Sequence, residues 1–536
     1  MRPIVLAMVC VGCAGSTGVG PLRFRNADPV TLVNDRVPLV KAPPAFDDGL
    51  IEYYFAQEFV ERTRNLLTVG EQGPARNANS LGDVPDSAWF QNRRVTPEEL
   101  RRGPGHGGPD RSKPWRVVGV KIGGMAIGIT FIDGREDRYV LKFDERNFPE
   151  TESSADVIVQ RLAWAFGYNV PDNQVVTFTR EQLVLDAKAE YKNRNGGTRP
   201  MTQEDLDKYL ALAQSEGGQF RALASKMVEG KVIGGVEPIG RREGDANDRV
   251  PHELRRDLRG QRVLWAWVNH LDIKSQNALA TFTDDHYVKW YTLDFGESLG
   301  VGAHTTSVPR LGYRKMIAPG MAIRALFTFG LYVQPWEREF VHPGYRGLGV
   351  FESASFDPAQ WSADHHWRPI DLADRQDHFW AAEIMLRITP AHLRAAVEAG
   401  QYTDRRTTEY MIQTLTERQR KLGRWALGQI APIANVEVTP RGLCFDDLWL
   451  RQGYGAATST RYATTSYDYD GRATAARAQM IASASRTCTP IHAGTSHDGY
   501  TIVEIRIHRD GKAVPAAYVH LAKSAAGLRV IGIDRR

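Results

Sequence analysis

Residues 115–144 set the tightest limit on what this chain can fold into. The string WRVVGVKIGGMAIGITFIDGREDRYVLKFD alternates apolar and polar side chains about glycine-containing turns, the period of antiparallel strands and not of a helix. The period then switches. In PETESSADVIVQRLAWAFGYNVP, Ile158, Leu162, Ala165 and Phe166 share one helical stripe that stops at Gly167. NQVVTFT and FRALASKMVEG return to strand, separated by a polar insertion (181–214) with one short helix. A helix through HELRRDLRGQRVLWAWVNH runs into His270, and NALATFT and YVKWYTLDF follow as two short strands. DRQDHFWAAEIMLRI, PAHLRAAVEAG and RRTTEYMIQTLTERQRKLGRWALGQI are helices by periodicity. Beyond Pro432, YTIVEIRIHRDGKAVPAAYVHLAK predicts a hairpin turning at Asp510-Gly511.

These elements place the chain in the α+β class, with an antiparallel sheet plus one helix, then a helical unit, then a small C-terminal β-rich module. The expected boundaries are 1–16 for a signal segment, 17–114 for an N-terminal extension and linker, 115–230 for the sheet lobe with its insertion, 231–432 for the helical lobe and 433–536 for the β module. RRGPGHGGPDRSKP (101–114) reads as an exposed linker. Hydrophobic residues at 42% and charged residues at 24% exclude a disordered, collagen-like or coiled-coil chain. A net charge of +5, spread along 536 residues, gives no ground for a nucleic-acid partner.

The chemistry-bearing residues sit in two clusters. HLDIKSQN places His270, Asp272, Lys274 and Asn277 after the long helix, and Leu293-Asp294-Phe295-Gly296 follows the second short strand. The first matches H-R-D-L-x-x-x-N except for Leu271 in place of Arg, and the second is a D-F-G. In that order, beside those elements, residues 115–305 resemble the protein-kinase-like superfamily, nearest to its atypical secretory and bacterial branches. The resemblance implies a bilobal protein-kinase-like fold and transfer of the γ-phosphoryl of ATP to a hydroxyl acceptor with Mg²⁺. Asp272 would then be the base and Lys274 would neutralise charge on the transferred group, while Asn277 and Asp294 supply the oxygen ligands that a hard cation demands.

Lys142, in Tyr139-Val140-Leu141-Lys142-Phe143, resembles the V-A-I-K lysine that reaches the α- and β-phosphates. Its carboxylate partner is Asp156 by the secretory-kinase pattern, with Glu152 one turn earlier as the alternative. Gly123 and Gly124 in GVKIGGMAIG can let backbone N–H groups approach phosphate, and an ordinary glycine hairpin accounts for them equally well. The hinge against adenine is expected near Lys226–Gly230. No A-P-E follows the D-F-G, so the acceptor stays open between a protein and a small hydroxyl compound.

The chain begins MRPIVLAMVCVGCAGSTG: one cation, an apolar run too short to span a bilayer, then small residues. Cys10-Val11-Gly12-Cys13 resembles a bacterial lipobox, which implies lipidation at Cys13, export and a membrane-anchored protein of the cell envelope. An ordinary signal cut near Ala14, or a buried N-terminus in a cytoplasmic protein, are the alternatives. Export would allow Cys444 and Cys488 to pair. An exported pseudokinase acting as a binding or scaffold lipoprotein is the competing function. Asp364-His365-His366-Trp367 lacks a metal-ligand spacing and reads as a surface loop.

Overall fold

The alternating run does form strands: β1 (Trp115–Val120), β2 (Gly128–Ile132) and β3 (Arg138–Lys142), whose inward residues Trp115, Val117, Ile129, Phe131, Tyr139 and Leu141 are all buried. The computed structural model describes residues 19–20, 34–47, 49, 55–61, 63, 73–120, 128–192, 197–213, 215–302, 312–313, 315, 319–333, 342–474, 478–493, 499–525 and 527–536. By contacts the chain divides into two units, Val30–Gln429, and Ile430–Arg536 with Met1–Pro29.

In the first unit, helix α1 (Pro97–Arg102) precedes β1, and α2 (Glu152–Phe166) follows β3. Then come β4 (Asn173–Thr179), β5 (Leu183–Lys192), β6 (Thr198–Pro200), α3 (Gln203–Leu212), β7 (Ser215–Glu216) and β8 (Gln219–Lys226). The sheet runs β4-β8-β3-β2-β1-β5-β6, with β7 on β8. Two expectations need correction here. The polar insertion carries its short helix but also two strands, and one of them, β5, pairs with β1 in parallel, so the sheet is mixed and not purely antiparallel. LVLDAKAEYK hides its strand because only Leu183 and Ala189 are buried along it.

β9 (Lys231–Val232) leaves the sheet lobe. It pairs with β10 (Ala278–Phe282), which pairs in turn with β11 (Val288–Thr292). Residues 227–230, where the hinge was expected, are the connection. Gly230 turns it at φ 89°, and a Cβ there would stand 2.6 Å from the Phe282 carbonyl. Helices α4 (Arg256–Val268), α5 (Pro319–Phe327), α6 (Arg375–Met385), α7 (Pro390–Ala399) and α8 (Arg405–Leu427) complete the unit. α6 and α7 each start with a capping box, from Asp374 and Thr389, which satisfies N–H groups the first turn would otherwise orphan.

Residues 84–100 contribute Val84, Trp89, Phe90 and Leu100 to the same buried core as α2, α4 and α6. Trp89 stacks on Trp290 at 3.9 Å between ring centroids, and the Arg255 guanidinium lies 4.5 Å from the centroid of the Trp89 ring. Gly167 ends α2 at φ 122° with no room for a Cβ, which would meet the Gln91 carbonyl and the Phe90 ring at 2.4 Å. That close approach fixes where α2 stops against the 84–100 segment.

In the second unit, β12 (Ile433–Thr439), β13 (Gly442–Asp447) and β16 (Arg486–Thr489) form one sheet. β14 (Thr460–Tyr467), β15 (Ala478–Ile481), β17 (Thr501–Arg509), β18 (Lys512–Ser524) and β19 (Gly527–Arg535) form another. The β17–β18 hairpin turns at Asp510-Gly511, both with positive φ, as a two-residue turn requires. Cys444 and Cys488 face each other across β13 and β16 and are joined in a disulfide.

Candidate functional site

The β10–β11 hairpin explains why two motifs 17 residues apart meet. Ala278 pairs with Thr292, so the residues just outside the pair come together, and the Leu293 N–H donates to the Asn277 carbonyl at 3.1 Å. Two further bonds close this seam: Leu271 N–H to the Glu297 carbonyl and Leu299 N–H to that of Val268. Phe295 is fully buried, 6.1 Å by centroid from both Trp265 and His270. Asp294 takes φ 63°, the left-handed region uncommon for non-glycine residues. With Phe295 seated in the core, this turn points the Asp294 carboxylate at Lys142, 2.7 Å from its Nζ.

Lys142 ends β3, between Gly128 of β2 and Leu223 of β8. Its Nζ also lies 3.8 Å from Oδ2 of Asp156, one turn into α2. Between the two carboxylates offered by the sequence, the structure therefore pairs Lys142 with Asp156. Glu152 instead lies beside Gly296 and makes no ion pair with Lys142 among the described residues. Asn173, the first residue of β4, donates to Asp156 at 2.5 Å. Burial works against the charge of Lys142, but Asp294 and Asp156 outweigh it and hold the ammonium above its ordinary range. Burial pushes Asp156 up to about 6 despite the pull of Lys142.

In the His270–Asn277 loop, Lys274 Nζ donates to both Asp272 oxygens, at 2.7 and 2.8 Å. The Asn277 amide nitrogen donates to the Asp272 carbonyl and to Oδ2, at 2.7 and 2.8 Å. Both of its donor hydrogens are spent on Asp272, so its oxygen is the atom that can face a cation. His270 is buried against Trp265, bonds Ser298 Oγ at 2.9 Å, and is pushed down to about 4 by burial. It is a neutral brace between the two motifs.

Burial, with neighbouring carboxylates adding to it, raises two glutamates to about 7: Glu152 beside Asp144, and Glu297 beside Asp272. Asn173, Ser298 and Glu297 escaped the sequence reading. Glu297 directly follows the D-F-G and could have been suspected; a strand-opening Asn and a loop Ser carry no signal of their own. Gly123, Gly124 and Cys13 lie outside the described residues. Asp364-His365-His366 is not simply an exposed loop: His365 is buried and His366 bonds Asp371 at 2.8 Å. Among the described residues no group of three or more His, Cys, Asp or Glu side chains is arranged to hold a metal.

No family model and no curated protein matches this chain. Among solved structures, it is similar to the Helicobacter pylori proinflammatory kinase CtkA, with 10% identity, coverage of 57% of this chain and 95% of that one, and a TM-score of 0.31. It is also similar to the Golgi casein kinase with Mn/ADP bound, at 12% identity, 61% and 73% coverage and a TM-score of 0.29. A third is HipA in the Shewanella oneidensis MR-1 toxin–antitoxin complex with HipB and operator DNA, at 11% identity, 69% and 84% coverage and a TM-score of 0.27. TM-scores this low carry no inference about this chain, so its chemistry is read from its own side chains.

Proposed function

We propose that Val30–Gln429 is a phosphotransferase that moves the γ-phosphoryl of ATP to a hydroxyl acceptor. The observation that carries this reading is the single constellation of Lys142, Asp156 and Asp294 with Asp272, Lys274 and Asn277. The donor set suits Mg²⁺: a carboxylate on Asp294 and an amide oxygen on Asn277, without a full protein cage, is the pattern of a hard cation shared with substrate phosphates. When bound, Mg²⁺ supplies neutralisation of phosphate charge.

The residues divide the remaining work. Lys142, kept cationic by two carboxylates, is built to meet phosphate oxygens. Asp156 and Asn173 hold that ammonium in place. Asp272 takes the proton of the acceptor hydroxyl as attack proceeds, and Lys274 lies against it, ready to meet negative charge on the group in transfer.

We also propose export, with Cys13 as a lipid anchor. The Cys444–Cys488 disulfide supports an oxidising compartment, and Cys13→Ser should release the protein from membranes.

The catalytic reading is tested by transfer of radiolabel from [γ-³²P]ATP to water and to a panel of serine, sugar and polyol acceptors. Labelled product that disappears in Asp272→Asn, with ATP binding kept, supports it. ATP binding with no transfer to any acceptor in the wild type would leave the scaffold function in its place.

A further inference from the structure

The interval between Glu297 and Glu337 is the longest in the chain without an acidic residue. At the chain's average of 63 acidic residues in 536, about 4 to 5 would fall in those 39 positions. The interval instead carries four cations, Arg310, Arg314, Lys315 and Arg324, and the aromatic residues Tyr313, Phe327, Phe329, Tyr332 and Trp336. Within it the structure describes 298–302, 312, 313, 315 and 319–333; Lys315 is held by Asp371 at 3.2 Å, which leaves α5 and the chain to Val333 with Arg324 as their one charged side chain.

A helix apolar on all sides is normally buried. α5 is not. Leu326, Phe327, Phe329 and Leu331 are 72%, 79%, 92% and 82% exposed. Nor is the segment loosely arranged. Phe329 and Gly330 take positive φ, and Gly330 N–H caps the Ala325 carbonyl at 2.8 Å. The Arg324 guanidinium then sits 5.0 Å over the Tyr332 ring and folds 331–333 back on the helix. The result is an ordered apolar knob with one cation, Arg324, at its side.

We propose that this knob inserts into the surface of a bilayer bearing anionic headgroups. Three features select that occupant. Charge is one-sided, since Arg324 is the single charged side chain of 319–333 and a cation on an apolar knob is drawn to anionic lipid. Length is the second: nine helical residues rise about 13 Å, less than half of a hydrocarbon core of about 30 Å, so the segment can lie in the interface but not cross. Among the described residues no helix is long and apolar enough to cross a membrane. The third is symmetry. A second copy seated on the same patch would set Arg324 near its own equivalent, with no acidic residue of the interval to answer it. Insertion would orient the kinase-like unit at a membrane independently of any acyl chain, and stable attachment generally takes two such signals.

The test is vesicle sedimentation of the full-length chain carrying Cys13→Ser, which removes any acyl contribution. Vesicles of phosphatidylcholine alone are compared with vesicles containing about 30% phosphatidylglycerol, a fraction sufficient to give the surface an attractive potential. The expected result is stronger binding to the anionic vesicles, and a loss of about tenfold or more with Leu326→Asp combined with Phe327→Asp. Both side chains are exposed, so an unchanged melting temperature should accompany the loss. Equal binding by parent and variant would overturn the proposal, as would no vesicle binding by the parent. So would sedimentation-equilibrium dimers that the paired substitution disperses without any vesicle binding.

Discussion

The two lysine–carboxylate pairs of the site differ in what surrounds them. Lys142 and Asp156 sit inside the sheet lobe, with an Asn donor on the carboxylate and burial raising it to about 6. Lys274 and Asp272 belong to a loop, with two direct bonds between them; the two lysines are equally exposed, at 19% and 20%, and the difference lies in the carboxylates, 2% for Asp156 against 15% for Asp272. A buried pair broken by removing one partner leaves an uncompensated charge, whereas a partly open one exchanges protein for water. The first pair is therefore bound up with folding, and the second, on the proposed function, chiefly with turnover.

The largest effect should come from the loop. Asp272→Asn should lower phosphoryl transfer by about 10²- to 10⁴-fold, the usual worth of a positioned proton acceptor, while leaving the melting temperature nearly unchanged. A comparable fall in stability would erase the contrast between the pairs. Lys142→Met should instead weaken both properties, costing about 3 kcal/mol of unfolding free energy at pH 7.5 by denaturant titration. Because Lys142 holds Asp156 down even at about 6, the stranded carboxyl takes up a proton more readily still, and this penalty should shrink as the pH is lowered towards about 6. A penalty independent of pH would mean that lost packing, not stranded charge, is the cause.

Asn173→Ala removes a donor from the Asp156 carboxylate and should cost about 1–2 kcal/mol, with no change at the Asp272 side. The smallest effects belong to the two glutamates at the margin. Glu152 and Glu297 are raised in the folded state, so the stability they contribute is present below the ordinary glutamate range and lost as pH rises through about 7. Glu152→Gln and Glu297→Gln should each raise the melting temperature by about 2 °C at pH 8 and by nothing at pH 4. A gain at both pH values would point to packing in place of titration.

Much of this site was legible because its residues lie at element ends whose periodicity is strong. The strand DRYVLKFD delivers Lys142, the stripe through Ile158 and Leu162 places Asp156 on α2, and two short strands bring Asn277 to Leu293. The choice between Asp156 and Glu152 was not legible, since one helical turn separates them and only packing decides which faces β3. β5 was missed because a strand wetted on both faces shows no alternation. Trp89 and Phe90 looked like part of an extension because their partners, Trp290, Tyr168 and Trp380, are distant in sequence. The disulfide likewise depends on the register of β13 with β16, which spacing alone does not reveal.

The most direct measurement is calorimetric titration of the full-length chain with ATP, with and without Mg²⁺, beside Asp294→Ala. Binding that requires Mg²⁺ and is lost in the variant is the predicted result, because Asp294, which meets Lys142 at 2.7 Å, is the carboxylate proposed to hold the cation. Wild type and variant binding ATP alike, or neither binding it, would contradict the assignment of this cleft to a nucleotide.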